Sequence, residues 1–156
     1  VLFFEHKYLY RSIKEEVPEA YYTTEIGKAN LVSSGDDLTI VTYGLGVHWA
    51  LEEMKNRPDI QAEIIDLRSL VPLDTETIYT SVKKTGRAIV LHEDCISGGI
   101  GGELTALITE HCFEFLDAPV LRVGSLNSPV PFAATIEAIF LPQERFTKAV
   151  DQLLNY

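Results

Sequence analysis

Residues 62–74, AEIIDLRSLVPLD, restrict the fold more than any other stretch of this chain. Ala62 to Leu67 is an apolar, β-branched run bounded by polar residues, the pattern of a buried strand. Charges appear at Asp66 and Arg68, where that strand ends. Pro72 cannot continue a regular element, and Asp74 stands as an N-cap before a helical pattern. That helix runs to about Lys84 with Ile78 and Val82 facing inward, and Gly86 ends it as a left-handed C-cap. Arg87 to His92, RAIVLH, is the next strand. Strand, loop, capped helix and strand in about 30 residues make one βαβ unit, and such a unit requires a parallel sheet.

The neighbouring stretches repeat the pattern. Leu38 to Tyr43 reads as a strand closed by Gly44, and Val47 to Asn56 as a helix with Val47, Ala50, Leu51 and Met54 on one face. Gly98 to Gly102 reads as a turn, Glu103 to about Phe113 as a helix, and Pro119 to Val123 as a further strand. Ser128 to Pro131 is a Pro-rich crossing, and a last helix starts near Phe146. Upstream, Gly27 to Asp37 holds a short alternating segment ending in a turn. Ser12 to Ala20 reads as an exposed linker, and Val1 to Phe4 as an apolar run that has lost its beginning. The expectation is an α/β fold with a mostly parallel sheet covered by helices on both faces.

Charge and cysteine content narrow the function. The 156 residues carry a formal net charge of -10, which argues against a phosphate-backbone partner and suits a basic protein partner. The two cysteines, Cys95 and Cys112, form no metal-ligand spacing and read as buried thiols in a reducing compartment. No stretch reads as a signal peptide or a membrane span.

Several residues invite a chemical reading. Ser97-Gly98-Gly99-Ile100-Gly101-Gly102-Glu103 follows a strand and opens a helix, where dinucleotide folds hold phosphate. Leu104 stands where a GxGxxG pattern needs Gly, and no Lys-Ser/Thr follows. The expectation is a tight turn and close helix packing, with at least one glycine at positive φ. His92-Glu93-Asp94 lies at the carboxyl end of a strand. Adjacent strand residues point to opposite faces, so the pattern favours a structural or interface role over an acid/base pair. Asp66 and Arg68, two apart, read as a local ion pair. Trp49, beside His48 at a helix start, reads as a partial core residue or an interface anchor. His6 and His111 have no partner that the sequence identifies.

The segments FFEHKYLYR, GDDLTIVTYG, AEIIDLRSLVPLD, TIYTSVKKTGR, SGGIGGEL, FLDAPVLRV and SPVPFA, in this order, resemble the β subunits of 2-oxo acid dehydrogenases. These are thiamine-diphosphate enzymes of the transketolase superfamily, and the likeness is to their C-terminal domain. HE after the RAIVL run, HCF before FLDAP and the LLNY ending lean toward the branched-chain (2-oxoisovalerate) members over the pyruvate or acetoin members.

The resemblance implies a three-layer α/β/α domain with a mainly parallel five-stranded sheet at 25–156, with 1–24 closing a preceding pyrimidine-binding domain and linker. It implies oxidative decarboxylation of a 2-oxo acid with acyl transfer to lipoamide. Thiamine diphosphate and Mg belong to the full enzyme and are held elsewhere, so no catalytic, cofactor-binding or metal residue is assigned here. The implied partners are a dehydrogenase α subunit or fused α region, a second β subunit, and the subunit-binding domain of a dihydrolipoyl acyltransferase. Glu110, Glu114, Asp117 and the terminal carboxylate of Tyr156 are the expected docking residues for that basic domain. The implied location is bacterial cytoplasm, or the mitochondrial matrix in a eukaryote. A free-standing, flavodoxin-like small-ligand binder is the alternative.

Overall fold

Strand β2 (Leu38–Thr42) is buried at every position, so it must be covered on both faces. It lies between β3 (Ala62–Asp66) and β4 (Ala88–Cys95), parallel to both. Strand β5 (Leu121–Ser125) extends the sheet parallel to β4, and β1 (Asn30–Ser33) closes the far edge antiparallel to β3. The order β1-β3-β2-β4-β5 is a five-stranded, mainly parallel sheet in a computed structural model that describes residues 1–156.

Two helices cover each face. The period of two along β2 and β3 sends Leu38, Ile40 and Ile64 toward Trp49 of α2 (Leu45–Lys55) and Phe146 and Leu153 of α6 (Gln143–Leu154). Val41 and Ile65 point the other way, to Ile78 and Val82 of α3 (Thr75–Thr85) and Leu104 and Ile108 of α4 (Gly101–Cys112). Thr39, wholly buried, is reconciled with that second layer by hydrogen bonds of 2.8 Å to the hydroxyls of both Ser81 and Thr85.

The loop at 67–74 acts as the sequence suggests and does more. The Asp74 carboxylate accepts from the Thr77 N–H at 3.3 Å and from the Thr77 hydroxyl at 2.9 Å, which caps α3. Its other role spans the fold: it accepts from the Ala29 N–H at 3.1 Å, next to β1. The Gly27 N–H donates to Ser69 Oγ at 3.0 Å, so the same loop holds the entry to β1 twice. Gly86 ends α3 with φ 68°, the left-handed cap.

Several boundaries differ from expectation: β5 spans Leu121–Ser125 where Pro119 to Val123 was expected, and α2 begins at Leu45, ahead of Val47. Strand β4 runs on through His92-Glu93-Asp94 to Cys95, because pairing with β5 resumes at Ser125 after a shift in register. Helix α4 begins at Gly101, so Gly101 and Gly102 are helical. Helix α6 begins at Gln143, ahead of Phe146. The Pro-rich crossing leads into a helix, α5 (Ala134–Phe140), of which only Phe140 is buried. A one-turn helix, α1 (Leu9–Ser12), lies before the exposed stretch at 14–20. Cys112 is buried as expected, whereas Cys95 is half-buried, and both thiols are free.

Burial pushes the Asp74 carboxyl up, but the bonds from Ala29 and Thr77 outweigh it and hold the group below the usual carboxylate range. Its contribution is therefore present above the unfolded value near 3.9 and is lost as pH falls through the folded value. Asp74→Ala is expected to destabilise the fold by about 2 kcal/mol at neutral pH, more than a simple cap loss, since the β1 contact goes with it. Denaturant melts of both proteins at pH 7 measure this; a loss below about 0.5 kcal/mol would show that the carboxylate ties neither element.

Candidate functional site

In a doubly wound sheet the ligand crevice opens outside the carboxyl ends of the strands, where successive connections run to opposite sides. Here that point lies between β2, whose connection leads to β3 through α2, and β4, whose connection leads to β5 through α4. Tyr43, Asp66, Arg68, His92, Glu93 and Asp94 stand at this edge.

His92 decides what the edge can hold. Its side chain is wholly buried, with Nδ1 3.1 Å from the Asp94 carbonyl. A carbonyl only accepts, so Nδ1 carries the proton and Nε2 presents a bare lone pair, for which the protein offers no donor. Burial pushes the imidazole pKa down, against the Asp94 contacts that raise it, and the Arg122 charge adds to the lowering. Three glycines make room for the ring. A Cβ at Gly99 would lie 2.8 Å from His92 Cε1, one at Gly124 would lie 2.7 Å from it, and one at Gly101 would collide with Nε2. Gly98, at φ 83°, supplies the left-handed turn that brings this loop over the ring. The glycine-rich turn is thus filled by an imidazole from its own sheet.

The remaining edge residues have partners close by. Glu93 points away from His92, as strand alternation requires, and meets His6 Nε2 at 2.8 Å. The sequence left His6 without a partner because Glu93 is 87 positions away. Asp94 Oδ1 accepts from the Cys95 N–H at 2.7 Å. Asp66 accepts from the Arg68 N–H at 3.1 Å and lies 3.9 Å from Arg68 Nε, the local pair the spacing suggested. Burial pushes the Asp66 carboxyl up, opposed by the Arg68 N–H bond and by the Arg68 and His48 charges. Burial, then Asp94 and Glu93, push the Tyr43 phenol up. Trp49 is buried core.

The expected docking residues are exposed and fall into two layers. Glu110 is on α4, and Glu114 and Asp117 follow it, with Asp117 4.0 Å from Arg87. Tyr156 follows α6, on the opposite face of the sheet. Helices α4 and α6 both run back along the strands, so all four residues lie toward the amino edge, away from His92. His111 stacks on Tyr79, ring centroids 4.7 Å apart, beside Glu110.

Thiamine diphosphate with Mg needs a cradle of backbone amides and a set of oxygen ligands. The residues present do not form one. The space under the glycine turn belongs to the His92 ring, each carboxylate of the edge is bonded locally, and no three His, Cys, Asp or Glu side chains group to hold a metal ion.

Fold and edge define a doubly wound α/β domain in which the glycine-rich turn before α4 packs on the His92 ring. The family "Transketolase, C-terminal domain" matches residues 27–145, and the chain belongs to it. It is 46% identical over 144 residues to the 2-oxoisovalerate dehydrogenase subunit beta of Bacillus subtilis (strain 168), covering 90% of this chain and 44% of that protein. It is 44% identical over 147 residues to the pyruvate dehydrogenase E1 component subunit beta of the same organism, covering 93% of this chain and 45% of the relative. The chain therefore spans less than half the length of these relatives. Among solved structures, a split gene transketolase, described as an inactive beta4 tetramer, superposes with a TM-score of 0.71 at 28% identity, over 89% of this chain and 46% of that one. The family match does not favour a free-standing flavodoxin-like binder. No helix is long and apolar enough to cross a membrane.

Two outcomes test the filled turn. Gly101→Ala is expected to cost about 1–3 kcal/mol, the range for overpacking a tight core, and His92→Ala in the same chain to recover part of it. Equal losses with and without the ring would show that the two do not touch. Because the His92 pKa is lowered in the fold, the unfolded chain takes this proton first. Stability then rises with pH between the folded value and the ordinary value near 6.5, and is lost as pH falls through that window. The fall between pH 7 and pH 5.5, followed by denaturant melts, is expected to shrink in His92→Gln; an unchanged fall would acquit His92.

Proposed function

We propose that this chain is the C-terminal structural, subunit-assembly and partner-docking domain of a thiamine-diphosphate-dependent 2-oxo acid dehydrogenase of the 2-oxoisovalerate type. The observation that carries the reading is the 46% identity to the Bacillus subtilis 2-oxoisovalerate dehydrogenase subunit beta. The 44% identity to the pyruvate enzyme of that organism favours pyruvate as the second reading. The reaction of the whole enzyme is oxidative decarboxylation with acyl transfer to lipoamide, and thiamine diphosphate supplies the electron sink. In this reading residues 25–156 form the domain, while 1–24 belong to the approach from a pyrimidine-binding domain. The domain packs against an α subunit or fused α region and a second β subunit, in the bacterial cytoplasm.

The filled turn supports a role in assembly. The turn at which a phosphate-binding fold would open is packed on its own imidazole, which fits a domain that contributes surfaces to an assembly. Glu110, Glu114 and Asp117 offer carboxylates to a basic partner, the subunit-binding domain of a dihydrolipoyl acyltransferase. Tyr156 lies just beyond the end of α6, where the helix dipole is negative. The two groups lie on opposite faces, so a partner touching both must wrap the amino edge of the sheet.

The test is reconstitution. The full-length β chain with its α subunit is expected to turn over 3-methyl-2-oxobutanoate in preference to pyruvate, and the reverse preference would establish the second reading. The 156-residue chain alone is expected to give no saturable heat with thiamine diphosphate and Mg; micromolar binding would refute a cofactor-free domain. In the reconstituted enzyme, Glu110→Lys with Glu114→Lys should weaken acyltransferase binding by about tenfold at low salt and less at high salt. Equal affinity at both salts would remove this corner from the interface.

A further inference from the structure

We propose that the exposed apolar face of helix α5, with Phe132 beside it, is the seat of the domain that precedes Val1 in the full-length β chain. The inference rests on the reading that residues 1–24 approach from such a domain, and it assigns the surface which that domain covers.

Between Arg122 and Glu144 the chain carries one charged residue, Glu137, although its formal net charge is -10. Within this stretch Leu126, Val130, Phe132, Ile136 and Ile139 are exposed, the two isoleucines by 55% and 66%. Ile136 and Ile139 are three apart and share one face of α5. Apolar residues exposed together mark an interaction site, where single ones do not.

The helix needs such a cover. It has seven residues, no side-chain cap and one buried residue, Phe140. A helix that short is not stable through its own hydrogen bonds. The domain holds only its last turn. The Leu126 N–H donates to the Phe140 carbonyl at 3.2 Å, and Arg145 donates to the Ile139 and Phe140 carbonyls at 3.0 and 2.7 Å.

The path of the chain identifies the occupant. The end of α5 is bonded to Leu126, just beyond β5, and the Cys95 thiol at the end of β4 donates to the Leu126 carbonyl at 3.2 Å. Two residues before Cys95, Glu93 holds His6 Nε2 at 2.8 Å. Leu9 then packs on the layer formed by α2 and α6, the layer into which α5 leads. The incoming chain and α5 therefore meet the sheet at the same edge. Only Val1–Glu5 separate His6 from a preceding domain, a reach of about 17 Å when fully extended. A domain attached there is confined beside α5, at an effective concentration on the order of mM that a free partner does not match. Val1–Phe4 is itself apolar and exposed, as a segment shared with a neighbouring domain is. The Bacillus subtilis relatives have the length for one, since the chain covers 44% and 45% of them. A second copy has no such tether and would bring two chains of formal net charge -10 together.

The test places a photoreactive benzoylphenylalanine in the position of Phe132 in the full-length β chain, alone and reconstituted with its α subunit. Irradiation is expected to join it to the part of the same chain that precedes Val1, as read by peptide mapping, with equal yield on dilution. Hydrogen exchange of residues 134–140 is followed in parallel. Ile136→Asp with Ile139→Asp is expected to speed that exchange at least about tenfold and to abolish the cross-link, while unchanged exchange across β2 shows that the fold is kept. A cross-link to a second β chain or to the α subunit, seen as a heavier species that fades on dilution, overturns the proposal. So does exchange in α5 as fast as at residues 14–20 and indifferent to the double substitution. Turnover of the reconstituted enzyme tests the parent reading separately. With turnover intact, a missing intrachain cross-link refutes this inference alone; with turnover absent, an intrachain cross-link refutes the enzyme reading and supports the contact.

Discussion

The whole arrangement follows from the two-sided burial of β2. Its five residues are all buried, so a helix layer is obligatory on each face, and the parallel neighbours β3 and β4 can only be reached through crossover helices. One connection runs toward β3 and the next two run back toward β4 and β5, which divides α2 from α3 and α4 across the sheet. The polar cost of this burial falls on Thr39, and Ser81 and Thr85 of α3 meet it with hydroxyls. The helix is thereby fixed in rotation as well as in position, because those two side chains must face the strand.

The same topology creates a crevice at the carboxyl edge, and the glycines of the turn beside it serve packing. In a nucleotide fold, glycines at this turn let backbone approach phosphate. Here they let backbone approach the His92 ring, with Gly99 and Gly101 on one side and Gly124 of β5 on the other. The neutral ring, with Nδ1–H held by Asp94, is the form that tolerates such an enclosure, since a charged imidazole without a carboxylate partner would be poorly solvated. A motif-like glycine cluster therefore marks a packing solution, and its meaning depends on a residue outside the cluster.

That dependence explains what could be read from the sequence and what could not. The Asp74 cap, the Gly86 stop, the β-branched strands and the inward residues Ile78 and Val82 are local signals, and each lands where the pattern puts it. The extension of β4 to Cys95 was hidden because His92, Glu93 and Asp94 break the apolar run that marks a buried strand. Helix α5 was hidden differently: it lies between Pro131 and Pro142, has no side-chain cap, and buries only Phe140, so no amphipathic period exists to detect. The His6–Glu93 contact and the glycine niche join residues far apart in the chain, for which one sequence offers no pairing signal. Glu110, Glu114 and Asp117 were legible as charges, but not as lying on the face of the sheet opposite Tyr156.

The loop after β3 shows how a short word can carry architecture. Arg68 adopts φ 53°, a conformation that costs a side-chain-bearing residue energy. The Asp66 carboxylate offsets this by accepting the Arg68 N–H, so the turn out of the strand is set by a bond between residues two apart. The chain then presents Ser69 and Asp74 to the backbone at 27–29, and β1 is aligned on β3 from outside the sheet. An isolated four-residue antiparallel edge has too few ladder bonds to fix its own register, and a bulge between Leu31 and Ser33 interrupts even those. Its register is therefore imposed by side chains of the loop. This is why DLRSLVPLD constrains the fold so strongly: Asp66 and Arg68 shape the end of one strand, Asp74 caps one helix, and Asp74 with Ser69 positions the antiparallel edge.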